Sequence, residues 1–274
     1  MKHKIDKFED YLFEQELSQN TIDAYMLSIR QFFDRFDDFN KKNIIAFKNY
    51  LLDERGFKPQ TVNIRLNGLN QYARFLGKLE LQMKTIKVPK QTKTDNAITV
   101  REYNKLLQCI QEDKRLIERE KWLMIVKTLA MTGARINEFL RFQKKHIIKG
   151  VAELHTKGKY RRIYFPKKLQ TELLEYCKGM SDEDFVFLSK YGTPITSRGV
   201  AQMLRNLGKR YDIREEVMHP HAFRHFFAIE FLKRNKNIAL LADLMGHENI
   251  ATTAIYLRLS EKEQKRQLNK AVDW

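Results

Sequence analysis

Apolar residues recur at helical spacing along most of this chain, and they outline its elements before any chemistry is considered. Phe8, Tyr11, Leu12 and Phe13 begin an amphipathic segment. Ser18-Gln19-Asn20 breaks it and caps a helix from Thr21 to Phe33, with Ile22, Tyr25, Met26, Ile29, Phe32 and Phe33 along one side. Asn43 to Asp53 predicts a third helix, ended by Gly56. Pro59 opens a fourth, in which Val62, Ile64, Leu66, Leu69, Tyr72 and Phe75 recur before Gly77. Four helices with short connections predict a small all-α domain over residues 1–85. Periodicity then stops. Residues 84–96, KTIKVPKQTKTDN, are poor in apolar side chains and carry four lysines, which places a basic linker at 86–96.

From residue 97 the pattern changes. Thr99-x-x-Glu102 predicts a capping box and a helix to about Glu112. A more apolar helix follows from Trp122 to Met131, and helix resumes after Thr132-Gly133 at Ala134 to Glu138. Alternation over His146 to His155 and Tyr160 to Phe165, around the turn Lys157-Gly158-Lys159, predicts a β-hairpin, with Phe185 to Leu188 as a short third strand. Helices are expected at Lys167 to Tyr176, Ser197 to Tyr211, Pro220 to Arg234, Asn237 to Met245, Ile250 to Leu257 and Glu261 to Val272. The predicted class is mainly α with a small β-hairpin (α+β), with a mixed, mostly helical domain spanning 97–274.

Charge narrows the partners. The chain has 274 residues with 51 Lys and Arg against 34 Asp and Glu, a formal net charge of +17. Residues 1–90 hold 16 basic and 12 acidic side chains, and residues 91–274 hold 35 and 22, so both parts are basic. A nucleic acid is the first expectation, because clustered Lys and Arg neutralise phosphates. Hydrophobic residues make up 43%, enough for packed cores rather than a disordered basic tail. No apolar run approaches membrane-spanning length, and the N-terminus has acids in its first ten residues and no apolar h-region. Cys109 and Cys177 belong to no Cys/His cluster. A cytoplasmic protein with no metal site and no cofactor is expected.

Within residues 219–260 several reactive side chain types fall close together. His221 and Arg224 lie at i, i+3 and share a helix face; Gly246-His247 ends an amphipathic segment; Tyr256 closes the next one. Arginine offers a planar fork of donors to phosphate oxygens, histidine moves protons near neutral pH, and tyrosine can be a covalent nucleophile. Taken singly, each also fits an ordinary role: a histidine at a helix start, a surface arginine, a core tyrosine.

Four boxes in order resolve that ambiguity. Thr132-Gly-Ala-Arg-Ile-Asn-Glu138, His155-Thr-Lys-Gly-Lys-Tyr-Arg-Arg162, His221-Ala-Phe-Arg-His225, and Leu244-Met-Gly-His-Glu-Asn-Ile-Ala-Thr-Thr-Ala-Ile-Tyr256 resemble the motifs of the tyrosine recombinase (phage integrase) family, over nearly the whole chain. Ala134 and Phe223 stand where leucine is frequent, both at apolar packing positions. The resemblance implies a helical core-binding domain at 1–85, a catalytic domain at 97–274, and a C-terminal helix at about 260–274 that docks onto a neighbouring protomer. It implies Tyr256 as nucleophile, forming a 3′-phosphotyrosine, and Arg135 and Arg224 on the non-bridging oxygens. Lys157, with Lys159 as its rival on the same turn, would protonate the leaving 5′-oxygen. His221 would help remove the Tyr256 proton or hold a phosphate oxygen, and His247 would donate to the phosphate. Glu138 would orient an arginine, and His219 and His225 would be structural.

The implied function is site-specific recombination through a Holliday junction by a homo-tetramer on synapsed sites, monomeric in free solution, with no small-molecule substrate. The alternative is a catalytically inactive DNA-binding accessory of the same fold. A relaxing topoisomerase, which needs a larger clamp, fits this layout less well. Integration, excision, inversion and dimer resolution would all use the same six residues.

Overall fold

The structure is a computed structural model that describes residues 2–88, 97–156, 159–247, 249–257, 269 and 272. Lys157, most of the expected linker and most of the expected C-terminal helix lie outside the described residues, as does the side chain of Lys159. The chain divides into two compact units, Met1–Gln91 and Thr92–Trp274.

The first unit is all helix. It contains α1 (Lys2–Glu14), α2 (Gln19–Phe33), α3 (Lys41–Asn49) and α4 (Pro59–Phe75). Ser18 stands at the extended N-cap position of α2, and Asn40 caps α3 by accepting from the Asn43 amide at 2.9 Å. The third helix starts two residues earlier than periodicity indicated. At its far end it widens into a π-turn over Tyr50–Glu54, where the Arg55 amide reaches the Tyr50 carbonyl. Phe8, Ile29, Phe32, Phe47, Leu66 and Tyr72 form the centre of one core. The α2–α4 crossing depends on Gly68, where a Cβ would come within 2.7 Å of the Ser28 Cβ.

The second unit carries α5 (Val100–Glu112), α6 (Arg119–Thr132), α7 (Ile136–Phe139) and α8 (Lys144–Lys149). The strands β1 (Val151–Thr156) and β2 (Lys159–Tyr164) follow, then α9 (Lys167–Tyr176), α10 (Ser197–Arg210), α11 (Pro220–Arg234), α12 (Ile238–Met245) and α13 (Ile250–Ala254). The Thr99–Glu102 capping box forms in both directions. The class is mainly helical with one two-stranded antiparallel sheet among the described residues.

Two expected strands differ. His146 to Lys149 is helical rather than the start of β1. The Gln143 amide donates to the His146 imidazole at 3.0 Å, Ile147 is buried, and Gly150 at φ +73° ends the turn before the strand begins. A helix of six residues is too short to show its period. Phe185 to Leu188 forms only the isolated bridges Gln143↔Phe185 and Leu188↔Pro194, with Val186 and Phe187 buried in the core. In the hairpin, Leu154 pairs with Arg161 and Ala152 with Ile163, so Arg161 falls on the inward face. No described helix is long and apolar enough to cross a membrane.

Candidate active site

Glycine places the first arginine. Gly133 ends α6 in the left-handed region at φ +61°, where a Cβ would meet the Phe227 ring at 2.4 Å. The chain then reverses, and Arg135 becomes the N-cap of α7. Glu138, one turn on, accepts from the Arg135 amide at 2.7 Å and from its guanidinium at 3.1 Å. The same carboxylate accepts from Arg161 on β2 at 2.8 Å. Glu138 and Arg161 are both buried, with side chains 4% and 7% exposed, whereas Arg135 is 46% exposed and reaches open space.

The C-terminus of α12 is the second fixed point. A helix end leaves its last carbonyls without partners and carries partial negative charge. Here three guanidiniums take three consecutive carbonyls: Arg161 donates to Leu244 at 3.2 Å, Arg224 to Met245 at 2.6 Å, and Arg135 to Gly246 at 3.0 Å. Gly246 permits this approach, because a Cβ there would lie 2.9 Å from the Arg161 Cδ. Arg224, 2% exposed, also donates to the Gly133 carbonyl at 2.6 Å. One helix end thus draws together arginines from α7, β2 and α11.

His247 follows Gly246. Its Nε2 lies 3.0 Å from an Arg224 Nη and its Nδ1 lies 2.7 Å from the Thr253 hydroxyl. A guanidinium can only donate, so Nε2 accepts and Nδ1–H points at the threonine. Burial, followed by the charges of Arg224, Arg135 and Arg161, lowers the His247 pKa to about 4. Burial also lowers Arg224 to about 9, with Arg135 and Arg161 adding to it, and both it and Arg161 (lowered to about 10, chiefly by burial) remain charged near neutrality. His221 is lowered by burial and then by Arg224.

These groups line one open cleft of about 1220 Å³, which includes Arg135, Arg161, His221, Arg224, Gly246 and His247. It is larger than a typical small-molecule pocket of ~300–1000 Å³. The cleft holds four arginines, Arg135, Arg161, Arg162 and Arg224, against Glu138 and Asp243, so its field favours an anion. Tyr256 is not among the lining residues. It sits on the 3₁₀ turn Ile255–Leu257 after α13, packed against the cluster of Ala228, Leu232, Leu241 and Met245. Its hydroxyl lies 2.7 Å from Nδ1 of His225. Burial raises its pKa, while Arg224 and then Arg135 pull it down.

The structure therefore brings Arg135, His221, Arg224 and His247 to one cleft and sets Tyr256 beside it. Lys157 is outside the described residues. Two residues have larger places than sequence reasoning gave them. Arg161 shares the inward face of β2 with Ile163, and an arginine at a core-facing strand position was the available signal. His225, expected to be structural, is the histidine that meets Tyr256; it lies at i, i+3, i+7 with Ala228 and Leu232, on the face the tyrosine covers. His219 caps α11, accepting from the Ala222 amide.

Comparison with known proteins supplies the family. The Phage integrase family profile matches residues 96–263, and that of the Phage integrase N-terminal SAM-like domain matches residues 5–82. The chain belongs to the phage integrase family of tyrosine recombinases. Among curated relatives of this recombinase, tyrosine recombinase XerC of Leptospira interrogans is 26% identical, covering 97% of this chain and 91% of the relative. Tyrosine recombinase XerA of Pyrococcus furiosus is 28% identical, covering 97% and 93%. In fold the recombinase is similar to the Tn1549 transposon integrase in complex with a circular intermediate DNA, with a TM-score of 0.72, 19% identity, and coverage of 98% and 99%. It is likewise similar to a lambda integrase dimer bound to a core site, with a TM-score of 0.74, 18% identity, and coverage of 93% and 76%.

The histidines give this recombinase a pH signature. His225 and His247 are each lowered to about 4, by burial first, so the folded chain holds both neutral where the unfolded chain begins to protonate them near 6.5. Their contribution is complete above about pH 6.5 and is lost as pH falls toward about 4. Glu102, lowered to about 2 mainly by its hydrogen bond to Arg214, acts in a separate and more acid window, below about pH 4.5. The melting temperature should fall between about pH 6.5 and 4.5, before that carboxylate titrates. A flat profile in that interval would contradict the buried neutral imidazoles.

Proposed function

We propose that this chain cleaves and rejoins double-stranded DNA at specific sites through a covalent bond to Tyr256. The observation that carries the reading is the set of guanidiniums converging on the end of α12, with the Tyr256 oxygen held just beside the cleft they line. The carbonyls they grip carry only partial charge, and a phosphate dianion-like transition state is a stronger partner for the same donors. Arg135 and Arg224 take the non-bridging oxygens. The phenolic oxygen forms the new bond to phosphorus, and the bond to the 5′-oxygen breaks. Lys157, or Lys159 beside it, supplies the proton that leaves with the 5′-hydroxyl. The phenol proton passes to a neutral imidazole, His221 in the first instance, since it lines the cleft. His247, neutral and accepting from Arg224 at rest, takes up a proton from solvent once an anion sits beside it and then donates to that anion. Reversal with a 5′-hydroxyl from another strand gives strand exchange.

The N-terminal helical unit grips the DNA duplex from its own basic side chains, and pairs of sites are brought together by four copies of the chain, held by the C-terminal helix. The fold neighbours bound to DNA and the basic character of both parts support the contact with DNA. An accessory factor that only bound DNA would have no use for a carboxylate that orients Arg135 or for a histidine that engages Tyr256.

The test uses the full chain and duplexes selected by it from a random-sequence pool, then nicked so that a cleaved end diffuses away. A covalent protein–DNA adduct should accumulate, including in excess EDTA, because the arginines supply the charge on the phosphate. No adduct on any selected duplex, with binding intact, would return the accessory reading.

A further inference from the structure

We propose that His225 is a positioning residue for the nucleophile: its Nδ1 accepts the hydrogen bond of the Tyr256 hydroxyl and holds the phenol in a resting place behind the arginine cleft. The contact is short, 2.7 Å, and joins α11 to the turn that follows α13. It is built on both sides. Tyr256 packs on the Ala228, Leu232, Leu241 and Met245 cluster, and the His225 ring is stacked edge-on against His221 at 4.3 Å between centroids. His225 immediately follows Arg224, so the residue that restrains the oxygen and the residue that meets the phosphate are adjacent on one helix.

Both partners of this bond are neutral. Burial keeps the imidazole neutral, lowered to about 4, and burial keeps the phenol protonated, raised above its ordinary value. So weak a base does not remove a proton from so weak an acid. The pair is a hydrogen bond that restrains, and the proposed direction takes the O–H as donor, with the His225 proton on Nε2. For attack, the oxygen must leave Nδ1 and enter the cleft that Tyr256 does not line. Loss of a net hydrogen bond of this kind corresponds to about a five- to tenfold change in the released population. The functional half of this inference rests on Tyr256 being the nucleophile.

The experiment separates the two halves. The full chain is treated with N-acetylimidazole, and acetylation of each tyrosine is followed by peptide mass spectrometry in the wild type, His225→Phe and His225→Asn. In His225→Phe, Tyr256 should react about five- to tenfold faster, while the exposed Tyr160 and Tyr164 keep their rates. In His225→Asn, whose side-chain amide oxygen stands where Nδ1 stood, Tyr256 should stay slow. On the nicked selected duplex at saturating concentration, His225→Phe should form adduct faster by the same factor as its acetylation. Unchanged acetylation in His225→Phe overturns the restraint. Faster acetylation without faster adduct formation overturns the positioning role. No adduct from the wild type, with the acetylation pattern as expected, removes the nucleophile assignment and leaves the hydrogen bond standing. If His225→Phe fails to fold, the ¹⁵N spectrum of Tyr256→Phe decides: His225 Nδ1 should shift as its donor disappears, with Nε2 unmoved, and an unmoved Nδ1 overturns the proposal.

Discussion

Arg224→Lys should lower the rate of covalent adduct formation by about 10²- to 10³-fold while leaving DNA binding nearly intact. Arg224 is 2% exposed, and its guanidinium already spans the Gly133 and Met245 carbonyls and His247. A lysine keeps the charge but supplies one compact ammonium in place of a planar fork, so it cannot hold both carbonyls and face the phosphate together. The loss falls on the transition state, where negative charge builds on the non-bridging oxygens. Binding spreads over many phosphates, and removing one contact changes it little. Single-turnover adduct formation at saturating duplex, beside a binding isotherm at fixed salt, measures both. A variant that binds tenfold weaker but forms adduct at the wild-type rate would move Arg224 from chemistry to general DNA contact.

Glu138→Ala should be the most destabilising single change in the site, costing about 3–5 kcal/mol in the second unit. Its carboxylate is the one acidic partner among the described residues shared by Arg135 and Arg161. Arg161 is buried, its Nε already lacks a partner, and Arg135 and Arg224 carry like charge close by. Removing the carboxylate leaves that guanidinium buried against two others. Glu138→Gln keeps an acceptor for the Arg135 amide and should cost less. Denaturant unfolding of both variants against wild type reads the difference. A loss below about 1 kcal/mol for the alanine variant would mean that Arg161 is held by the Leu244 carbonyl alone.

Much of this architecture was legible because its punctuation is local. Pro59, Gly133, Gly246 and the Thr99–Glu102 box act on neighbouring backbone, and each stands where the structure uses it. The same holds for helix α11, which runs over the expected Pro220 to Arg234. Misreadings came where a pattern was too short to show a period, as at Lys144–Lys149, or where a buried segment imitated a strand, as at Phe185 to Leu188. The candidate site was legible through residue types and their order, and Arg135, His221, Arg224 and His247 do meet. What the sequence hid is tertiary. That three consecutive carbonyls at the end of α12, Leu244 to Gly246, receive three arginines from three other elements cannot be read from spacing along one chain. Nor can the choice between His221 and His225 as the neighbour of Tyr256, since both lie on the same face of one helix, four residues apart.

The most direct measurement is the identity of the residue bonded to DNA. The covalent complex formed on a nicked selected duplex is digested with protease and nuclease, and the tyrosine that carries the nucleotide is located by mass spectrometry. The modified residue should be Tyr256, joined to a 3′-phosphate, and Tyr256→Phe should bind the duplex yet yield no modified peptide. A nucleotide on any other tyrosine, or an adduct that persists in Tyr256→Phe, would contradict the assignment of the nucleophile and with it the mechanism built around the end of α12.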